Sequence, residues 1–125
     1  MLSKIERLKE KYLFKIAFKK RQKLNSIFLS LYYLFKRNDI NKLEKVLPKV
    51  AFIVGLGVSK KATKRNLIKR RMRNAYQLVK QKLFNINNKL SSVSVLIWVA
   101  HPTIASATFK QIKDSTEKIL NKLSI

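Results

Sequence analysis

Cysteine is absent from the 125 residues, histidine occurs once, and acidic side chains occur only six times. Without cysteine there is no disulfide, no thiol nucleophile and no thiolate metal site, which is compatible with a reducing compartment. The single imidazole, His101, cannot build a histidine cage for a metal. The acids are Glu6, Glu10, Asp39, Glu44, Asp114 and Glu117, and only Glu6/Glu10 and Asp114/Glu117 have the spacing to meet on one helix face. A carboxylate cluster for two catalytic metals is hard to assemble from that set. We therefore expect no catalytic residue and no metal site, and a self-sufficient nuclease ranks last among the readings. Long apolar runs are missing too. The longest, residues 27–35 and 50–58, reach about half the ~20 residues of a membrane helix. The first residues lack the apolar stretch of a signal peptide. No membrane partner is expected.

What the chain has is positive charge: 29 Lys and Arg, for a formal net charge of +23. A hydrophobic share of 46% is that of a globular protein and not of a disordered basic tail. The length suits a single domain, residues 1–125, with one modest core. Self-repulsion opposes folding of so cationic a chain, and a polyanion relieves it. Nucleic acid is the leading candidate; an anionic membrane surface comes second and is disfavoured, since no helix pairs a basic face with an exposed apolar one once the core is filled.

Periodicity supplies the elements. Residues 12–20 read as a helix with an apolar stripe of Leu13, Ile16 and Ala17, and a second i,i+4 pair, Phe14 and Phe18, beside it. Either both stripes are core or the second faces something else. Residues 26–35 read as a strand whose odd positions are uniformly apolar and whose even positions, including Tyr32, are mixed. Residues 36–47 read as a long hairpin connection. Residues 50–59 form the next strand, with Val50, Phe52, Val54, Leu56 and Val58 toward the core. Ala51, Ile53, Gly55, Gly57 and Ser59 form a face of mostly small side chains. That face suits a ligand lying against the sheet, a bulge, or close helix packing equally well.

From residue 66 to 84 the pattern is helical, with Ile68, Met72, Ala75, Tyr76, Val79 and Leu83 in one narrow arc. Residues 93–100, nearly continuous in apolar side chains, read as an interior strand. Thr108 and Gln111 fit a capping box opening a last helix, with Phe109, Ile112, Ile119, Leu120 and Leu123 inward. The strand at 50–59, its helix and the strand at 93–100 make one βαβ unit.

The densest charge lies at residues 59–73, where eight of fifteen side chains are cationic and none is acidic. A charge run is usually a solvated face. This one opens a helix with an opposing apolar stripe, so Lys69, Arg70 and Arg73 hold fixed relative positions. The helix N-terminus adds its positive dipole end and free N–H groups. Arginine forks suit phosphate oxygens, and Asn66 can donate and accept at a ribose or base edge.

Residues 54–61, Val-Gly-Leu-Gly-Val-Ser-Lys-Lys, followed by Arg65-Asn66-Leu67-Ile68-Lys69-Arg70-Arg71-Met72-Arg73, resemble the bacterial ribonuclease P protein component. Arg7-Leu8 with the Phe14/Phe18 pair looks like that family's first helix, and Trp98-Val99-Ala100 with Pro102 looks like its last strand. The resemblance covers nearly the whole chain. It departs in three places: Leu67 stands at the second arginine of the Arg-Asn-Arg signature, the link from Lys61 to Arg65 is short and lacks a Gly, and His101 stands where Arg is common. Arg71 is a candidate substitute for the missing arginine but lies elsewhere on the helix.

The resemblance implies an α+β sandwich fold, a four-stranded sheet packed by helices in the order α-β-β-β-α-β-α, with a left-handed βαβ crossover. It implies a subunit, monomeric within its complex, of the ribonucleoprotein that removes the 5′ leader of precursor tRNA. The catalyst would be the ribonuclease P RNA, with Mg²⁺ held mainly by that RNA. Lys60, Lys61, Lys64, Arg65, Asn66, Lys69, Arg70 and Arg73 would face the catalytic RNA. Phe14, Phe18, Tyr32 and Ser59 would line a cleft for the single-stranded leader, where stacking tolerates any base. The compartment would be a bacterial cytoplasm or an organelle stroma or matrix. A ribosomal or other structural RNA-binding protein of related fold is the alternative, and it would need no leader cleft.

Overall fold

The computed structural model describes residues 7–8, 11–20, 22–35, 49–87 and 93–123. The chain order is α1 (Lys11–Lys20), β1 (Lys23–Asn25), β2 (Leu29–Phe35), β3 (Lys49–Ile53), α2 (Ala62–Asn87), β4 (Val93–Ala100), a 3₁₀ turn (Pro102–Ser106) and α3 (Phe109–Leu123). The expected α-β-β-β-α-β-α order and four-stranded sheet are thus present. The expected connection at residues 36–47 lies outside the described residues.

The sheet runs β1-β2-β4-β3, with β1/β2 and β2/β4 antiparallel and β3/β4 parallel. β4 is interior, as its unbroken apolar composition requires, because it pairs on both sides and is buried on both faces. Opposite side chains share a face, so the register lays out two rows: Lys23–Tyr32–Ile97–Ala51 and Asn25–Ser30–Val99–Ile53. The pairing slips where Leu34 opposes Val95 and Phe35 opposes Val93, which leaves Ser94 as an extra residue. This bulge reverses the alternation, so Val93 joins Leu96 and Trp98 on the opposite face from Val95 and Ile97.

Helices α2 and α3 pack on one face. Ile68, Met72, Ala75, Tyr76 and Val79 from α2 and Ile112, Ile119 and Leu120 from α3 meet Leu29, Leu31, Val50, Leu96 and Trp98. Each such aliphatic side chain contributes roughly 1.5–3 kcal/mol on burial. The rings of Phe52 and Trp98 both lie 6.0 Å from that of Tyr76. The opposite face, around Leu34, Val95 and Ile97, is covered by α1 through Phe14 and Ala17 and by Leu8. The backbone N–H of Leu8 donates to the Val50 carbonyl at 2.9 Å, and Arg7 bridges Val50 in parallel along the outer side of β3.

Five local expectations are corrected. The strand expected over 26–35 begins only at Leu29, because the Ser26 hydroxyl and amide both bond the Leu29 carbonyl and close a turn. The strand expected over 50–59 ends at Ile53; Gly55, Leu56 and Gly57 turn instead, closed by the Val58 N–H on the Gly55 carbonyl at 3.1 Å. Leu56 is consequently 69% exposed rather than core, and the small-residue face does not extend along the sheet. Ile16 of α1 turns outward beside buried Ala17. Phe109, expected inward, is exposed, and Thr116 takes the buried place, its hydroxyl donating to the Ile112 carbonyl at 2.9 Å.

Candidate nucleic-acid interface

The basic segment is held by its own side chains. One guanidinium nitrogen of Arg65 donates to the carbonyls of Ser59 at 3.0 Å and Lys60 at 2.9 Å. The Lys61 N–H donates to the Ser59 hydroxyl at 3.3 Å. These bonds fold the loop after β3 onto the first turn of α2 and leave Lys60 and Lys61 exposed at its tip. Arg65, half-buried, thereby acts on its own chain as well as offering its remaining N–H groups outward.

On α2, at about 100° per residue, Asn66, Lys69, Arg70 and Arg73 fall within roughly 100° of arc. That arc lies away from the sheet-facing line of Ile68, Met72, Ala75 and Val79. Lys64 is exposed but about half a turn from Arg73, so it stands apart from the edge formed by the other three cations. The first turn of α2 carries no acid and its last turn no base. Cations at the N-terminal end oppose the helix dipole, at about 0.3–1 kcal/mol each. An anion at that end removes the conflict, and phosphate supplies both charge and acceptors.

The second site lies on the other sheet face. The rings of Phe18 and Tyr32 meet edge to face, with centroids 4.8 Å apart and planes at 72°. The Lys23 ammonium sits 5.4 Å from the Tyr32 ring centre. Phe18 is 37% exposed and Tyr32 partly so, whereas Phe14 packs into the cluster beneath α1. Phe18 and Tyr32 are therefore brought together, and Phe14 packs against the same buried cluster as Tyr32. Ser59 belongs to the basic loop through its bonds to Lys61 and Arg65.

One row along, the sequence reading missed a polar chain. The Ser30 hydroxyl donates to Asn25 Oδ1 at 2.6 Å and lies 2.6 Å from His101 Nε2. That hydroxyl therefore ties β1 to the residue that follows β4. Lys23 and Asn25 went unnoticed because β1, at three residues, is too short to show a period. Their only sequence signal is a pair of polar side chains spaced two apart before a strand. This side of the sheet thus presents aromatic rings at Phe18 and Tyr32, a cation at Lys23 and a polar side chain at Asn25, with the Ser30 hydroxyl buried beneath.

Among the described residues no three His, Cys, Asp or Glu side chains lie close enough to hold a metal ion. No helix among those residues is long and apolar enough to cross a membrane.

Comparison with known proteins agrees with this fold. A family model described as Ribonuclease P matches residues 2–124. The ribonuclease P protein component of Caldanaerobacter subterraneus subsp. tengcongensis is 28% identical over 125 residues, spanning 98% of this chain and 92% of its own. The RNase P protein of Staphylococcus aureus superposes with a TM-score of 0.69 at 21% identity, covering 95% of each chain. That of Thermotoga maritima gives a TM-score of 0.65 at 17% identity, over 95% of this chain and 96% of its own.

Proposed function

The chain belongs to the ribonuclease P protein family and is a subunit of that RNA-based endoribonuclease, and from this premise we propose how its two faces divide the work. The outer edge of α2, with the loop that Arg65 folds against it, holds the ribonuclease P RNA. The groove beside α1 holds the single-stranded 5′ leader of precursor tRNA. Neither surface performs bond chemistry. Lys60, Lys61, Asn66, Lys69, Arg70 and Arg73 contact phosphate and ribose, and Mg²⁺ is held by the RNA.

The observation that carries the leader assignment is the Phe18–Tyr32 pair with Lys23 beside it. An exposed aromatic pair stacks any base, and the adjacent ammonium meets the phosphate between bases. This combination suits a strand whose sequence varies from one tRNA precursor to the next. The groove lies across the sheet from α2, so one protein can grip both RNAs without the two sites competing.

Replacing Phe18 with Ala tests the assignment. A lost stack is worth about 1–3 kcal/mol, and with Phe18 partly covered by Tyr32 the lower end applies, so affinity for precursor tRNA should fall about 5- to 10-fold. Affinity of the reconstituted holoenzyme for mature tRNA should not change. Equal losses on both substrates would remove the leader from this groove.

A further inference from the structure

The surface between α2 and the start of α3 is not used by either proposed site. An open groove of about 620 Å³ lies there, lined by Asn74, Gln77, Leu78, Lys80, Gln81 and Phe109. Its volume is within the range of small-molecule sites, about 300–1,000 Å³. Two apolar side chains are exposed in it, Leu78 at 48% and Phe109 at 37%. The Phe109 backbone is fixed, because it opens α3 inside a capping box: the Gln111 N–H donates to Thr108 Oγ1 at 3.2 Å and the Thr108 N–H to Gln111 Oε1 at 2.9 Å.

The groove also continues the basic edge. Asn74 follows Arg70 by one turn, Gln77 follows Arg73, and Gln81 follows Gln77, so amides replace guanidiniums along the same side of α2. No acid lines it. Phosphates held at Arg70 and Arg73 would carry the next nucleotide toward these amides. A flat ring, an aliphatic wall and carboxamides with both donors and acceptors are what an unstacked base requires.

We propose that this groove holds one unpaired nucleotide of the catalytic RNA, its base against Phe109 and its edge toward Asn74 and Gln81. The proposal rests on the reading that the outer edge of α2 faces that RNA. It adds a base-directed contact to an interface otherwise built on phosphates, and so would set this protein in register on its RNA.

The test uses the full-length chain reconstituted with a ribonuclease P RNA, in binding titrations and in chemical probing of unpaired base edges. Phe109→Ala should weaken RNA binding roughly 5- to 150-fold, the value of one lost stack, without altering the salt slope. Phe109→Tyr should restore binding. One unpaired nucleotide should be shielded by the wild type and by Phe109→Tyr, and become reactive with Phe109→Ala while other protections persist. The double variant Asn74→Ala/Gln81→Ala, on exposed positions of α2, should expose the same nucleotide, and it decides the matter should Phe109→Ala fail to fold. Unchanged affinity with an unchanged protection map would overturn the proposal and leave the groove to a protein partner. The underlying reading fails separately: it falls if neutralising Lys69, Arg70 and Arg73 leaves the salt slope intact.

Discussion

Neutralising the outer edge of α2 offers the sharpest quantitative test of the RNA interface. The perturbation is Lys69, Arg70 and Arg73 together to Ala. Alanine is the strongest helix former, so α2 itself should persist. Removing three like charges from a chain of net charge +23 should, if anything, raise the stability of the free protein.

Each phosphate contact contributes about 0.7–0.9 to the slope of log affinity against log salt, so three lost contacts lower the slope by about 2–3. Between 50 and 200 mM salt the wild type should then lose roughly 20- to 40-fold more affinity than the variant. The assay is a filter-binding titration of ribonuclease P RNA across that range, with thermal melting of the free protein as control.

Arg65 provides an internal contrast. Its guanidinium holds the Ser59 and Lys60 carbonyls, so Arg65→Ala should change the slope by about one at most while loosening the loop that carries Lys60 and Lys61. A triple variant that binds more weakly at every salt concentration with the wild-type slope would refute the reasoning. Those side chains would then act on folding and not on phosphates.

Two further predictions concern stability. The Trp98 indole N–H is buried with no hydrogen-bond partner among the described residues, so Trp98→Phe removes an unsatisfied donor along with some apolar area. These effects are of similar size, and urea unfolding should show a change within about 1 kcal/mol, against about 3–5 for Trp98→Ala. Equal costs for both variants would mean that the indole N–H is satisfied. Thr108→Ala breaks the α3 capping box and should cost about 1 kcal/mol, read from the urea midpoint, with no change in the RNA salt slope.

Much of the fold was legible because burial imposes strict periods. The sheet-facing line of α2 from Ile68 to Val79 was readable at helical spacing, and the alternation of β2 put Tyr32 on the correct face. The family likeness was readable from residues 54–73, and a match across residues 2–124 leaves the ribosomal alternative without support. What escaped was decided by single hydrogen bonds and not by periods. Ser26 closes a turn that hydrophobic content alone would have spanned. Gly55 and Gly57 surround Leu56 with weak strand formers, so the alternation of β3 runs past its true end. Sequence cannot show that the Arg65 guanidinium also reaches the Ser59 and Lys60 carbonyls.

The seal on β3 carries a consequence of a different kind. β3 is the last strand of its sheet, and its Val50-Ala51-Phe52-Ile53 run is the composition that recruits another strand. Arg7 and Leu8 occupy that open side, with the Leu8 N–H on the Val50 carbonyl. Arg7 and Leu8 therefore act as a guard against aggregation. A fusion partner or trimming that draws Leu8 away would leave the helices and the larger core intact, open the smaller cluster that Leu8 helps to cover and free an adhesive strand. The failure to watch for in such a protein is precipitation at high concentration, well below its unfolding temperature.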